Sequence, residues 1–168
     1  MQISWQLNEQ KGTQELRSGE NRVIAKVTPG TVIRQAEAGL IFPAAEKMFF
    51  NGFQSWTHCP EYAPSDKIRL PKALPRLICR ALSLDHFADY HFVQYPNRRG
   101  VLHGISYCYF RDGNRYRLLA SLDERPGYTV FRYDCREALL TLKRDCAGTA
   151  AGEENFHVFD LFYMEGSE

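Results

Sequence analysis

The chain has no surplus of either charge: 21 Lys and Arg residues stand against 20 Asp and Glu residues, giving a formal net charge of +1. It therefore lacks the basic excess that neutralises nucleic-acid phosphates. No apolar run approaches the roughly 20 residues of a membrane-spanning helix, and the N-terminus shows neither segment of a secretory signal. We expect a cytoplasmic protein that binds neither nucleic acid nor a membrane.

The cysteines form no recognisable pattern. The five of them, at positions 59, 79, 108, 135 and 146, include no C-x-x-C pair. An odd number without a secretion signal predicts free thiols in a reducing compartment. Cys108 lies among Tyr107, Tyr109 and Phe110, which favours its burial.

Aromatic residues, in contrast, are plentiful. Phe, Tyr and Trp make up 13% of the chain, with nine Tyr and eleven Phe, and these residues favour strands over helices. A length of 168 residues with 44% hydrophobic and 24% charged residues is typical of one soluble domain with a full core. Neither a repeat nor a linker is visible, so residues 1–168 are predicted to form a single domain.

Most of the chain predicts β-strands separated by Gly, Pro, Asn and Asp turns. The predicted strands cover residues 3–7, 23–27, 31–33, 47–50, 89–95, 104–111, 115–122, 128–133, 138–143 and 156–163. Pro29-Gly30 and Asp112-Gly113 predict two hairpins, and residues 123–127 supply the turn between two later strands. Sequential antiparallel strands with short turns indicate a β-sandwich.

Two segments depart from this pattern. Residues 60–75 contain four prolines and predict an irregular segment, long enough that a function or a partner should explain it. Residues 76–84 carry apolar side chains at helical spacing without a breaker, and Pro75 suits a first helical turn. The expected fold is therefore mainly all-β, an antiparallel sandwich with one short helix.

Two groups of residues suggest catalytic or metal chemistry. His58 and Cys59 are neighbours, but neighbours in a strand point to opposite faces, which disfavours a nucleophile and base pair. Residues 85–91 contain two Asp and two His residues, and a metal site there is conceivable. Their spacing matches no recognised ligand pattern, so we predict no metal.

Asp123 and Glu124 form the tight acidic pair near a turn. Glycosidases place two carboxylates about 5–5.5 Å or ~6.5–9.5 Å apart in a cleft. Acids in a Pro-Gly turn usually support the turn instead, here with a contact to Arg125, and we predict no catalytic residue. The basic run Arg98-Arg99 reads as an exposed loop, and His103 as a strand residue without a role.

One segment combines aromatic and polar groups. Phe49, Phe53 and Trp56 surround a short polar set: Asn51, Gly52, Gln54 and Ser55. Sugars need such a mixture, because their hydroxyls lie in the ring plane and their C–H face stacks on an aromatic ring. The alternative is that the aromatic residues plug one end of the sandwich, with Asn51-Gly52 as a tight turn. Buried amides would then need partners, which weakens that alternative.

Residues 50–57, Phe-Asn-Gly-Phe-Gln-Ser-Trp-Thr, resemble a signature in the N-terminal domain of bacterial α-galactosidases of glycoside hydrolase family thirty-six. Residues 89–92, 102–107 and 121–124 resemble later strands of that domain in the same order. The resemblance extends from about residue 20 to the end of the chain. It implies a large twisted β-sandwich of the galactose-mutarotase-like (supersandwich) type.

In that family, the sandwich precedes a catalytic β/α barrel with two aspartates that act in a retaining mechanism. Those aspartates have no counterpart in this chain, so the resemblance implies an accessory domain that is not catalytic and needs no cofactor. It would support the barrel and a homo-oligomer and border the galactoside site. The implied sugar-binding residues are Asn51, Phe53, Gln54, Ser55 and Trp56. Trp56 would stack on the sugar, and Gln54 or Asn51 would reach a hydroxyl.

Two alternatives remain open. The chain could be a stand-alone carbohydrate-binding module with an aromatic platform made by Trp56 with Phe53 or Tyr62. It could also be a pure protein-interaction domain that uses residues 60–75 as its contact. Sugar titration separates the module from the accessory domain, and sedimentation detects the defined oligomer of an interaction domain.

Overall fold

The computed structural model describes residues 5–8, 15–19, 22–26, 32–51, 61–67, 98–125, 127–150 and 157–167. Within these ranges the chain forms eleven strands and no helix. The strands are β1 (Trp5–Asn8), β2 (Glu15–Gly19), β3 (Arg22–Lys26), β4 (Val32–Ile41), β5 (Lys47–Phe50), β6 (Val101–Ile105), β7 (Tyr107–Asp112), β8 (Arg115–Ser121), β9 (Thr129–Asp134), β10 (Leu139–Ala150) and β11 (His157–Ser167).

The strands form two antiparallel sheets, which confirms the predicted β-sandwich. Sheet A has the order β1-β4-β10-β9-β6, and sheet B has the order β2-β3-β11-β8-β7-β5. Strands β5 and β6 are therefore edge strands of different sheets. Among the described residues, no helix is long and apolar enough to cross a membrane.

Alternation along the strands builds the core between the sheets. In β7, Cys108 and Phe110 are fully buried, whereas their neighbours Tyr107 and Tyr109 are half-exposed. Strand β5 follows the same rule, with Met48 and Phe50 in the core. Period-two side-chain geometry produces this division directly. The predicted burial of Cys108 is confirmed.

The register of the strands places specific residues at opposite ends of the sandwich. Residue 51, Ser106 and the 122–128 loop lie at one end, which we call the motif end. The 113–114 and 135–138 turns lie at the other, which we call the turn end. At the turn end, the predicted Asp112-Gly113 hairpin joins β7 to β8, and Gly113 has a φ of 57°.

One predicted strand proves to be two. Residues 104–111 were expected to run continuously, but the backbone turns at Ser106, which has a φ of 66°. Strand β6 ends before this residue in sheet A, and β7 begins after it in sheet B. Period-two alternation continues on both sides of the turn, so the pattern contains no signal for the break.

One hairpin prediction was wrong, because the connection changes sheet. Residues 23–27 and 31–33 do not pair as a hairpin, because β3 lies in sheet B beside β2 and β11, whereas β4 lies in sheet A. The 122–128 loop likewise passes from β8 in sheet B to β9 in sheet A. Consecutive strands that close a sandwich often belong to opposite sheets, and local turn residues do not report this choice.

Several predictions fall on residues that the structure does not describe. These are the helix at 76–84, the strand at 89–95, the His58-Cys59 pair, the acidic and histidine residues of 85–91, and most of the irregular segment at 60–75. Residues 61–67 of that segment are described, and Tyr62 bridges to Met48 of β5.

Candidate functional site

Asn51, the first polar residue of the aromatic motif, joins the two sheets at the motif end. Its backbone N–H donates to the carbonyl of Tyr107 at 3.2 Å, at the start of β7. Its own carbonyl accepts from the N–H of Ile105 at 2.9 Å, at the end of β6. The motif therefore begins where the edge strands of both sheets meet.

Gly104 makes this junction possible. A Cβ atom at Gly104 would lie 2.2 Å from the carbonyl oxygen of Asn51 and 3.0 Å from its nitrogen. Such distances are well inside van der Waals contact, and the neighbouring atoms belong to the backbone, which cannot rotate away. Glycine is required here for the close approach of two chain segments.

The chain returns to the same edge of sheet B after the motif. Tyr62 exchanges two backbone hydrogen bonds with Met48, at 2.8 and 2.6 Å. Next to it, Glu61 accepts two hydrogen bonds from the guanidinium of Arg111, at 3.2 and 2.9 Å. Both flanks of the 52–60 segment are thus attached to β5, β6 and β7.

Of the five predicted sugar-binding residues, Asn51 lies in the described part of the chain. Phe53, Gln54, Ser55 and Trp56 lie outside it. The alternative prediction of an aromatic plug is wrong for Phe49, because this ring faces outward and stacks on Tyr107 with the centroids 5.8 Å apart. Its neighbour Phe50 fills the core instead.

Tyr62 cannot supply an exposed platform. Its side chain is part of the core and only 5% of its surface is exposed. The alternating backbone places Tyr62 opposite buried Met48, so its ring points into the sandwich. An aromatic platform that uses this residue is therefore excluded.

A polar network continues from Asn51 across the motif end. The N–H of Ser106 donates to the carbonyl of Thr129 at 3.0 Å, and the carbonyl of Ser106 accepts from the N–H of Ser121 at 2.7 Å. The hydroxyls of Ser121 and Thr129 lie 3.1 Å apart. Ser106 thereby connects the ends of β8 and β9, which explains its unusual backbone angle.

The predicted acidic pair supports the 122–128 loop. Asp123 accepts hydrogen bonds from the backbone N–H and the Nε of Arg125, at 2.9 and 3.4 Å, so the predicted Arg125 contact is confirmed. Glu124 accepts from the backbone N–H of Thr129. These carboxylates hold the connection between the sheets, which is a structural task.

Their pKa values are shifted in opposite directions. Burial raises the pKa of Glu124 above its ordinary value, although hydrogen bonds with Ser121 and Thr129 oppose the shift. Burial also acts on Asp123, but the N–H of Arg125 and the charge of Arg144 outweigh it and lower the pKa. Two carboxyl groups, one with a raised pKa and one with a lowered pKa, can act as a general acid and a general base. Here, however, Asp123 already accepts from Arg125 and Glu124 Oε2 from Thr129, whereas the buried Glu124 Oε1 has no hydrogen-bond partner among the described residues.

Arg144 of β10 lies beneath this loop and was missed by the sequence analysis. Its side chain is 0% exposed, and Nη2 donates to the carbonyl of Arg125 at 2.5 Å and lies 3.8 Å from Asp123 Oδ1. The sequence contains a pattern that could have identified it, because Arg144 continues an alternating apolar series with Leu140, Leu142 and Cys146. All four side chains are buried. An arginine on an inward face must have internal partners.

His103 lies in β6 opposite Arg132 of β9. Burial, together with the charge of Arg132, lowers the pKa of His103 to about 4, so its imidazole is neutral at physiological pH. Within the described ranges, no group of three His, Cys, Asp or Glu side chains could hold a metal ion.

Neither the protein-family models nor the curated proteins compared with this chain show a match.

Proposed function

We propose that this chain is a non-catalytic β-sandwich domain of an α-galactosidase-like glycoside hydrolase. In this role it supports a catalytic β/α barrel and an oligomer, and it presents the motif at residues 51–56 to the edge of a sugar site. The proposal extends the sequence resemblance, and the all-β sandwich agrees with it. Asn51 and Trp56 would contact the galactoside, together with Phe53, Gln54 and Ser55.

The attachment of the motif carries the proposal. A segment that lines a site on a neighbouring domain needs a rigid base and freedom from the sandwich core. Asn51 provides the base on one side through its hydrogen bonds to Ile105 and Tyr107. Tyr62 provides it on the other through two bonds to Met48. The chain is thus held at an edge of the sandwich on both sides of residues 52–60, and a second domain would pack against this edge.

The acidic pair gives further support. Asp123 and Glu124 hold the loop between β8 and β9 through Arg125 and Thr129. A retaining glycosidase needs one carboxylate free to attack the sugar and another free to transfer a proton. In the proposed enzyme these two groups come from the barrel, and the sandwich contributes only to binding.

Sugar binding by the isolated chain provides one test. The chain contains two tryptophans, so a Trp5→Phe variant leaves Trp56 as the single indole fluorophore. We expect its emission to change little with galactose, melibiose or raffinose up to ~10 mM, because half of the site belongs to the barrel. We also expect no release of nitrophenol from a nitrophenyl α-galactoside. Hydrolysis that is lost in Trp56→Ala would overturn the proposal.

The coding sequence beyond codon 168 provides the second test. The proposal expects a tryptophan-rich segment and then strand and helix repeats of a β/α barrel with two aspartates. A stop codon directly after codon 168 in the natural gene would refute a sandwich and barrel within one chain. Activity of the longer chain that falls in Trp56→Ala, with its fold intact, would support the proposed sugar contact.

A stand-alone carbohydrate-binding module is the second candidate. The outer face of sheet B favours it, because Tyr109 and Tyr116 are half-exposed and stack with their centroids 6.0 Å apart. Aromatic faces of this kind bind sugar rings. Saturable binding of raffinose that is lost in Tyr116→Ala but kept in Trp56→Ala would favour the module. A defined oligomer in sedimentation without sugar binding would instead favour an interaction domain.

A further inference from the structure

A cavity of about 440 Å³ lies at the turn end of the sandwich, at the opposite end of β6 from Asn51. Its walls come from three separate parts of the chain: residues 64–65, 98–100 and 134–137. We call it the arginine cavity, because Arg98, Arg99 and Arg136 line it. The basic run at 98–99, predicted as an exposed loop, is thus one wall of a concave site.

Asp134, at the end of β9, holds one of these arginines in place. Its side chain is only 6% exposed and accepts a hydrogen bond from Arg98 Nη2 at 2.8 Å. It also accepts from the backbone N–H of Arg136 at 3.1 Å and lies 3.6 Å from Nη2 of Arg132. The charge of Asp134 is therefore neutralised within the wall, and the side chain of Arg98 remains 58% exposed toward solvent.

The other two arginines keep their charge available. Arg99 Nη1 donates to the carbonyl of Ser65 at 3.4 Å, a contact that orients the guanidinium without neutralising it. In the parts of the chain that the structure describes, no carboxylate lies within ion-pair distance of Arg99 or Arg136. Glu137 is the remaining acidic group in the lining, so positive charge exceeds negative charge.

The backbone fixes the position of the 98–100 turn. Gly100 has a φ of 73°, donates to the carbonyl of Asp66 at 2.8 Å and accepts from the N–H of Cys135 at 2.8 Å. A Cβ at Gly100 would lie 3.3 Å from the carbonyl oxygen of Pro64. The backbone of the turn is therefore locked between the other two walls, which restricts where Arg98 and Arg99 can lie before any ligand binds.

We propose that the arginine cavity binds the anionic group, a carboxylate or a phosphate, of a small molecule. The planar guanidinium presents paired N–H donors that match both groups. The cavity is far larger than either ion and falls within the range of small-molecule sites, about 300–1,000 Å³, so the rest of the ligand fits beside the anion. This inference is independent of the proposed function, because the cavity lies at the other end of the sandwich from the motif.

Calorimetric titration of the whole chain at constant ionic strength tests the proposal. The probes are galactose 6-phosphate and galacturonate, with galactose as the neutral control, and inorganic phosphate and acetate as the anions alone. We expect at least one of the two sugar anions to bind, and galactose not to bind at the same concentration. Stronger binding of phosphate than of acetate assigns the site to phosphate, and the reverse assigns it to carboxylate.

Variants then locate the site. We expect Arg99→Gln and Arg136→Gln each to weaken binding of the preferred anion about five- to tenfold, which corresponds to loss of one exposed charge-assisted hydrogen bond. Arg115→Gln is the matched control, because Arg115 is an exposed arginine at the same end but lines a different cavity. These side chains are exposed, so the melting temperature should stay within about 2 °C of the parent in each case.

Three results would overturn the proposal. The first is that neither sugar anion binds more tightly than galactose. The second is unchanged affinity in both cavity variants. The third is an equal loss in Arg115→Gln, which would show a general charge effect of the surface. If both cavity variants unfold, chemical-shift changes of the Arg98, Gly100 and Cys135 amides in the parent decide the matter, and their absence on titration refutes the site.

Discussion

Replacing Gly104 by alanine tests the junction on which the candidate site depends. The new Cβ would meet the Asn51 carbonyl at 2.2 Å, so β5 and β6 must separate locally. That movement breaks the hydrogen bonds from Asn51 to Tyr107 and from Ile105 to Asn51. At about 1 kcal/mol for each bond and about 1–2 kcal/mol for overpacking, the free energy of unfolding should fall by about 3 kcal/mol.

Urea unfolding followed by circular dichroism measures this loss. For a chain of this length, about 3 kcal/mol corresponds to a melting temperature about 6–12 °C lower. Gly39→Ala is the matched control, because Gly39 also lies in a strand and its Cβ would meet only Leu139 Cδ1, at an ordinary 3.6 Å. The free energy of unfolding of the control should be unchanged or higher by about 0.5–1 kcal/mol, since alanine reduces the entropy of the unfolded chain.

The comparison of the two variants decides whether the reasoning holds. If Gly104→Ala is within about 0.5 kcal/mol of Gly39→Ala, the close approach of Asn51 to β6 does not exist in solution. The base of the candidate site would then be incorrect. A large loss in Gly104→Ala alone supports the junction between the two edge strands.

Three further changes probe other parts of the fold. Asp134→Asn should lower the free energy of unfolding by about 2 kcal/mol at pH 7. Although burial opposes ionisation, the Arg136 N–H and the Arg98 guanidinium lower the pKa of Asp134. The native state therefore binds fewer protons than the unfolded state between these two pKa values, so the loss of unfolding free energy in the variant should become smaller as pH falls below the ordinary value of 3.8 toward the lowered pKa of Asp134. Tyr133→Phe should lower stability by about 1–2 kcal/mol in the same assay, because the hydroxyl donates to a buried carbonyl at 2.7 Å. Cys146 is fully buried and its pKa is raised to about 11, so mass spectrometry should find it unmodified by iodoacetamide at pH 8 in the folded chain.

Each of these changes has a control. Glu137→Gln, in the same exposed hairpin, should alter stability by less than about 0.5 kcal/mol at either pH. An Asp134→Asn cost that is as large at pH 3 as at pH 7 would contradict the assigned pKa shift. Tyr107→Phe removes a hydroxyl on the outer face and should leave the free energy of unfolding nearly unchanged. If Tyr133→Phe changes the free energy of unfolding no more than Tyr107→Phe does, the buried hydrogen bond is excluded. Alkylation of Cys146 in urea serves as the positive control, and rapid reaction of the folded chain would contradict its burial.

Local pattern was sufficient for several features. The strand-forming residues at 104–111 predicted a strand, and the aromatic neighbours of Cys108 predicted its burial, which the structure shows in β7. Asp112-Gly113 predicted the hairpin between β7 and β8 because this turn needs a residue with positive φ. Both properties involve only neighbouring residues. The all-β class followed from them without knowledge of the sheets.

The choice of sheet depended on tertiary contacts. Ser106 divides one regular pattern into β6 and β7, and its turn is held by Thr129 and Ser121, which follow later in the chain. Pairing of β3 with β11 rather than β4 likewise joins distant segments. Such pairings depend on which apolar strand faces can be buried together, and the sequence of one strand does not determine its neighbour in the sheet.

The candidate sites divide in the same way. The sequence by itself predicted the motif that begins at Asn51, because amide, hydroxyl and indole groups rarely lie so close together in a globular core. Only the tertiary structure showed that the absence of a side chain at Gly104 lets the backbone of Asn51 lie between the edges of the two sheets. Only the fold brought Arg136 beside Arg98 and Arg99 around one cavity. Composition and period are local properties, whereas the close approach of distant residues arises when two sheets pack and fix their ends.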